Sequence, residues 1–520
     1  MAIRKEARRL SVAMVVRDEA NVLADSIQSV RTIADEVVVF DTGSTDRTPE
    51  IAQKLGAIVT RGTWSDDFSA ARNRAMALST GQWVLWLDGG ERLDPAAAAP
   101  LREFVDCHAN PDFAYLLMVE IPPRERGNSS EQAGQVRLVP SSSLLHFEGR
   151  VRETLRPSLE AGGYGLGQAP GRILRHQREH DPERKLRLAH RNLHLVSLEA
   201  EQLGHYPNRL LLALGAAYAD LDSPESARDA FLQAIAQSPR GSHEMLEAYY
   251  GLLASMQGQI DRAIELSTCL EALEVFPLDA QLLMAMANCM QAQKRYDLAA
   301  RSFQLAIKHG QVALESWHLA ELVEVAASCL SLTLRLQGKD AEARRALEET
   351  LTLRPGSARL RGQLLDLLVR QGQGEEALRL FDQLEIDRDR RPAMREALRG
   401  ACAAARGEWA NALGLLQSAY LAGCTDPFCL RWLATTLLSN GQIEAAAPVL
   451  RHWQQIEPGN SELKAYLAIV APDEGQERPA SAARQAEQPP RRIRVDPAQA
   501  VLALPIALPI VTQVTSADRP

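Results

Sequence analysis

Residues 82–91 read Gln-Trp-Val-Leu-Trp-Leu-Asp-Gly-Gly-Glu. A short apolar run, Trp83 to Leu87, closed by turn-forming glycines predicts a buried strand with Asp88 and Glu91 at its carboxyl end. In an open α/β sheet, that end is where ligands bind. The same pattern occurs upstream, where Val37-Val38-Val39-Phe40 runs into Asp41-Thr42-Gly43-Ser44-Thr45-Asp46. Two strand ends that both carry acids point to one site, suited to a metal-bound phosphate compound.

Working outward, strand and helix patterns alternate from Leu10 to about Leu101. Strands are expected at Leu10 to Val16, Glu36 to Phe40, Ala57 to Thr60 and the run ending at Leu87. Helices are expected at Val22 to Ile33, after Thr48 as cap with Pro49 in the first turn, around Phe68 to Leu78, and from Asp94-Pro95. Such alternation builds a mainly parallel sheet wrapped by helices. Two further strands are expected at Tyr115 to Ile121 and Val136 to Val139. The glycine-rich stretch Ala161 to Gly171 reads as a loop. Its Gly165-Leu-Gly167-Gln-Ala-Pro-Gly171 has the wrong spacing for a dinucleotide-binding turn, Pro170 obstructs a helix, and no first strand precedes it.

At 520 residues the chain is too long for one core, so two or more domains are expected. Hydrophobic residues at 46% and charged residues at 24% describe a soluble globular protein, and a net charge of −8 with no basic stripe argues against a nucleic-acid partner. The seven cysteines are scattered and lack a C-x-x-C pair, which predicts reduced thiols and a cytoplasmic location. The apolar stretch Leu10 to Val16 is too short for a signal-peptide core, and the one near Val501 to Val511 is broken by Pro505 and Pro509, so no transmembrane segment is expected.

From Pro207 the texture becomes amphipathic helix rich in Ala and Leu. Gly258, Gly338, Gly372, Gly407 and Gly441 are each followed five residues later by an alanine. With Ala227 and Ala299 in the same frame, successive alanines stand 36, 36, 44, 34, 35 and 34 residues apart. That is a helix-pair repeat near the tetratricopeptide length of about 34 residues. The small alanines let paired helices approach, and the glycines supply the turn. The long interval between Ala299 and Ala343 predicts an insertion or irregular helix near Gln311 to Val323. The expected division is a catalytic α/β domain at 1–180, a helical linker at 181–206, a solenoid at 207–471, and a disordered Pro- and Ala-rich tail at 472–520.

Four segments carry a family resemblance: Leu10 to Val22 (LSVAMVVRDEANV), Asp41-Thr-Gly-Ser-Thr-Asp-Arg-Thr48, Trp64-Ser-Asp-Asp-Phe-Ser-Ala-Ala-Arg-Asn73 and Trp86-Leu-Asp-Gly-Gly-Glu91. In this order they resemble the motifs of family 2 glycosyltransferases of the GT-A fold, over roughly the first third of the chain. A catalytic module followed by tetratricopeptide repeats is similar to a known bacterial arrangement. The resemblance implies a nucleotide-sugar donor of the UDP or GDP type, with Asp41 contacting the nucleoside, Arg72 the nucleotide or diphosphate, and Asp88 the ribose or metal. It implies Mg²⁺ or Mn²⁺, because a hard cation neutralises the leaving diphosphate. The candidate ligands are Asp88, Glu91 and His176. It also implies inversion, which needs a base. Glu153, in Phe147-Glu-Gly-Arg-Val-Arg-Glu153, is the candidate, at a stretch similar to one that reads V-H-E in the family.

Each assignment has a plainer structural counterpart. Asp41 and Asp88 also suit strand-ending turns, Asp46 a turn or helix cap, Glu153 a surface ion pair, and His176 a structural role. Trp64 and Phe68 suit core packing as well as sugar stacking. Asp66 and Asp67 suit capping of the helix that presents Arg72, with Asp67 retained as a donor-binding candidate. The chain departs from the family at Gly90, where members carry an acid in D-x-D-E. Two functions follow. One is sugar transfer to a protein or glycan acceptor, with the repeat groove recruiting that acceptor or a protein partner. The other is a scaffold whose enzyme domain has lost its metal and whose repeats do the work.

Overall fold

The computed structural model describes residues 9–122, 129–176, 181–256, 262–383, 389, 391–456 and 461–470. Gly258 to Asp261 of the repeat frame and the tail at 472–520 lie outside the described residues.

The first third of the chain, joined by one short strand from the repeats, forms one sheet. Its strands are β1 (Leu10–Val16), β2 (Glu36–Asp41), β3 (Ile58–Arg61), β4 (Trp83–Trp86), β5 (Glu91–Leu93), β6 (Phe113–Ile121), β7 (Glu131–Pro140), β8 (Gly165–Arg175) and β9 (His318–Leu319). The order is β3-β2-β1-β4-β7-β6-β8-β5, with β9 also beside β7. β1, β2, β3 and β4 pair in parallel, as the alternating pattern requires, while β7 runs antiparallel to both β4 and β6. Their apolar side chains split between two buried clusters, one on each face, with Leu85 and Met14 on one side and Val84 and Val15 on the other. Helices cover both faces. The parallel strands therefore all deliver their carboxyl ends to one edge, which carries Asp41 and Asp88.

The stretch read as a loop at Ala161 to Gly171 is mostly strand. β8 pairs in parallel with β6 and antiparallel with β5. Its glycines explain why strand won over loop composition. Gly165 and Gly167 stand opposite Phe113 and Tyr115, and a Cβ on either would lie 2.5 Å and 2.8 Å from those rings. The glycines thus make room for the large residues of β6 and keep the ladder closed. Thr48 is the first residue of its helix rather than the cap, and its hydroxyl instead accepts the Glu19 N–H at 2.7 Å.

A 22-residue helix, Pro182–Leu203, leads into helix hairpins that run from Asn208–Asp220 with Pro224–Gln237 to Pro427–Ser439 with Ile443–Ile456. Ala227, Ala299, Ala343, Ala377, Ala412 and Ala446 are fully buried between paired helices. Ala263 is exposed, and Leu266, Cys269 and Ala272 fill the interior of that hairpin instead. Gly338, Gly372, Gly407 and Gly441 all turn with positive φ between +74° and +79°. Where the frame has no glycine, Asp222 and Lys294 occupy the same left-handed turn at φ 56° and 61°. The seven cysteines are free, and six are buried. Among the described residues no helix is long and apolar enough to cross a membrane.

The long interval between Ala299 and Ala343 is an irregular segment between the helices Tyr296–His309 and Leu322–Leu336. It docks on the sheet. β9 pairs with the start of β7, and the Gly134 N–H donates to Leu314 O at 2.7 Å. Trp317 is 3% exposed within the core cluster of the sheet domain, so a solenoid residue completes the core of the other domain. The two parts are one packed body rather than beads on a linker.

Candidate active site

The loops that follow β1 and β2 are built from short side chains that hold backbone. Asp41 is fully buried, and its carboxylate accepts the Ser44 N–H at 3.1 Å and hydroxyl at 2.5 Å, with Arg61 Nε at 3.8 Å. Asp18 accepts the N–H groups of Thr45 and Asp46 at 2.7 Å and 3.2 Å, tying the β1 loop to the β2 loop. Asp46 accepts from Thr48 N–H at 2.9 Å and Ala20 N–H at 3.1 Å. Burial works against its charge, but those bonds win and hold its carboxyl below the usual range. Non-glycine residues with positive φ include Asp18, Asp66 and Arg152, all in loops of this edge. Strained backbone of that kind gathers at functional sites.

Asp67 caps the helix Phe68–Ala77, accepting the Ala70 N–H at 2.9 Å and the Ser69 hydroxyl at 2.7 Å. Asp66 accepts from Trp64 Nε1 at 2.8 Å, and the Trp64 and Phe68 rings meet edge to face at 4.7 Å. Both aromatics are therefore occupied in packing. The capped helix presents Arg72 and Asn73 toward the strand ends. Asn73 exchanges two hydrogen bonds with the backbone of Phe147, 2.7 Å and 2.9 Å long, which pins the segment leading to Glu153.

Arg72 is the hub. Its guanidinium lies over the Trp86 ring at 4.4 Å and the Phe147 ring at 5.2 Å. Its Nε donates to Glu153 at 2.6 Å, and its Nη1 lies 3.1 Å from Asp88. Burial disfavours its charge, yet Asp88, Glu153 and Glu91 outweigh burial and raise its pKa above the ordinary arginine value. Thus Arg72, Asp88 and Glu153, chosen separately from the sequence, come together. Asp88 also accepts from Trp86 Nε1 at 2.8 Å and faces Arg137 Nη1 at 3.5 Å.

Glu91 points inward, 1% exposed. One carboxylate oxygen receives Arg137 and Arg175, each at 2.9 Å, and the other accepts the Asp88 N–H at 2.9 Å. His176 is exposed, and its backbone N–H donates to Gly90 O at 2.7 Å. The expected ion held by Asp88, Glu91 and His176 does not fit this arrangement, because the carboxylate oxygens face guanidinium and amide donors. Among the described residues no group of three or more His, Cys, Asp or Glu side chains is placed to hold a metal ion.

Sequence reasoning missed five contributors. Arg137 was visible only as a charge inside an apolar strand pattern. Arg175 stood next to His176 without a signal of its own. Trp317, whose ring lies 5.7 Å from the Arg175 guanidinium, and Glu247, which pairs with Arg152 beside Glu153, come from the repeats. Glu199 of the 22-residue helix likewise accepts the Arg150 N–H at 2.7 Å. The loop carrying Glu153 is therefore held by two helices outside the sheet.

The fold and site together define an α/β domain of the GT-A type joined to a helical-repeat solenoid. Residues 11–116 match the glycosyl transferase family 2 model, and residues 334–401 match a tetratricopeptide repeat model. The chain thus carries a family 2 glycosyltransferase domain followed by tetratricopeptide repeats.

Among curated relatives, a TPR repeat-containing protein of Synechococcus elongatus is 49% identical over 98 residues, 19% of this chain and 24% of that protein. An uncharacterized glycosyltransferase of Rickettsia conorii is 38% identical over 85 residues, 16% of this chain and 30% of that protein. The matches span under a third of these relatives' own lengths. Among solved structures, a tetratricopeptide repeat protein from Parabacteroides merdae aligns at a TM-score of 0.37 and 15% identity, covering 51% of this chain and 98% of that one. Glucosyl-3-phosphoglycerate synthase from Mycobacterium tuberculosis, in complex with Mn²⁺ and UDP-glucose, aligns at 0.19 and 22% identity, covering 22% and 44%. At these scores neither structure bears on the reading of the site.

Proposed function

We propose that the amino-terminal domain moves a sugar from a UDP- or GDP-type nucleotide sugar to a hydroxyl of a protein or glycan acceptor, with inversion. The observation that carries this reading is the convergence of Asp88, Arg72 and Glu153 at the strand ends of a family 2 domain. Asp41 and the Asp67-capped helix frame the donor side. In the displacement, Glu153 takes the acceptor hydroxyl proton as that oxygen bonds to the anomeric carbon. The bond from that carbon to the β-phosphate oxygen breaks, and its electron pair leaves on the diphosphate. Arg72, between Asp88 and Glu153, is placed to meet that growing charge.

The repeats recruit the acceptor or a protein partner in their groove, and the free thiols fit a cytoplasmic location. Calorimetric titration of UDP- and GDP-sugars tests the donor step. Binding that Asp88→Ala abolishes supports it, and no heat from any donor refutes it. A second reading, a scaffold with a silenced enzyme domain, is favoured by Gly90 and by the mutual pairing of the site's acids and arginines. It predicts a partner held by the repeats and no donor binding.

A further inference from the structure

Six charged side chains close around the strand ends: Asp88, Glu91 and Glu153 against Arg72, Arg137 and Arg175. Each is at most 12% exposed. A site that recruits a divalent cation needs deprotonated oxygens with lone pairs to spare and an excess of negative charge. Here acids and guanidinium groups are equal in number, and both Glu91 oxygens, both Asp88 oxygens and Glu153 Oε1 face N–H donors. The position of the missing family acid, Gly90, turns at φ 80°, a conformation that disfavours any side chain.

The arginines are not equally committed. Arg72 Nε donates to Glu153 at 2.6 Å and Arg137 Nη2 to Glu91 at 2.9 Å. The Nη1 groups of both turn to Asp88, at 3.1 Å and 3.5 Å, the longer contacts of the two side chains. Arginine presents a planar fork that suits two phosphate oxygens at once. Phosphate oxygens entering beside Asp88 take over the two Nη1 groups, while Glu153 and Glu91 keep the guanidinium planes in place.

Resting on the donor-site reading above, we infer that this site binds a nucleoside diphosphate without a divalent cation, Arg72 and Arg137 supplying the positive charge. Titration calorimetry of the full chain with UDP and GDP, in EDTA and then in Mn²⁺, tests the inference. Kd is expected to agree within about threefold between the two conditions and to weaken about tenfold in Arg137→Gln. Arg137→Lys, which keeps the charge and loses the fork, serves if the Gln variant does not fold, and the same direction of loss is expected. Nucleotide binding that appears only with Mn²⁺ overturns the inference.

A second arm needs no nucleotide. Mn²⁺ titrated alone and followed by electron paramagnetic resonance is expected to show no bound ion that Asp88→Asn removes, and such an ion overturns the inference. UDP and GDP that fail to bind under either condition overturn the donor-site reading itself, while the Mn²⁺ signal still decides the cation claim.

Discussion

Replacing Arg72 with Met tests whether the hub holds the sheet domain together. Arg72, Asp88 and Glu153 are all under a tenth exposed, and the two pairs are 3.1 Å and 2.6 Å long. At an effective dielectric of about 20, each contact is worth roughly 5–6 kcal/mol of gross Coulomb attraction. Much of that is offset by the cost of removing the charges from water. Removing Arg72 forfeits the attraction without recovering the cost, because Asp88 and Glu153 stay buried. The expected loss is therefore about 3–5 kcal/mol.

The assay is urea unfolding of the full chain, followed by tryptophan fluorescence. Adding Glu153→Gln to Arg72→Met removes one stranded charge and should recover about 1–2 kcal/mol, a coupling that only direct contact explains. A loss under 1 kcal/mol in Arg72→Met, or simple additivity in the pair, would refute the argument.

Trp317→Ala is expected to cost about 3–5 kcal/mol and to speed hydrogen exchange at Gly134, whose N–H bonds to the docked segment; unchanged exchange there would detach the repeats from the sheet. Lys294→Gly relieves a left-handed turn at φ 61° and should raise stability by about 0.5–1 kcal/mol after glycine's own entropy cost, read by thermal melting. His318 is held neutral: Nδ1 lies 2.8 Å from Ser316 O, which only accepts, and Nε2 lies 3.2 Å from Gln132 Nε2, which only donates. Burial lowers its pKa, and the Ser316 carbonyl opposes this less strongly. Its contribution is thus full above the unfolded value of about 6.5 and is lost as pH falls through the lower folded value. The segment should loosen on β7 below that window, and His318→Gln should flatten the dependence in exchange measured across pH.

Much of the site was legible because its chemistry sits in contiguous motifs. Asp41, Asp88 and Arg72 each stand at a strand end or on a capped helix that local pattern reveals. Glu153 was placed by resemblance, and only the fold shows that Arg72 joins it to Asp88. Loop composition hid β8, because glycines that suit a turn equally suit a strand packed under Phe113 and Tyr115. The alanine frame found six buried hairpin contacts and failed at Ala263, where neighbouring side chains fill the space.

By itself the sequence determined two architectures, through periodicity: an alternating α/β pattern that must make a parallel sheet, and a repeat that must make stacked hairpins. It also marked the 44-residue interval as an irregularity, and the family resemblance marked Gly90 as a lost carboxylate. Tertiary structure decided what those irregularities do. The extra residues become β9 and Trp317, completing a sheet and core whose other strands end more than 140 residues earlier in the chain. The acids that looked like cation ligands become partners of arginines on strands far apart in sequence. Periodicity is local, so one chain of letters reveals it; burial and charge pairing depend on which distant side chains share a volume, and only the fold sets that.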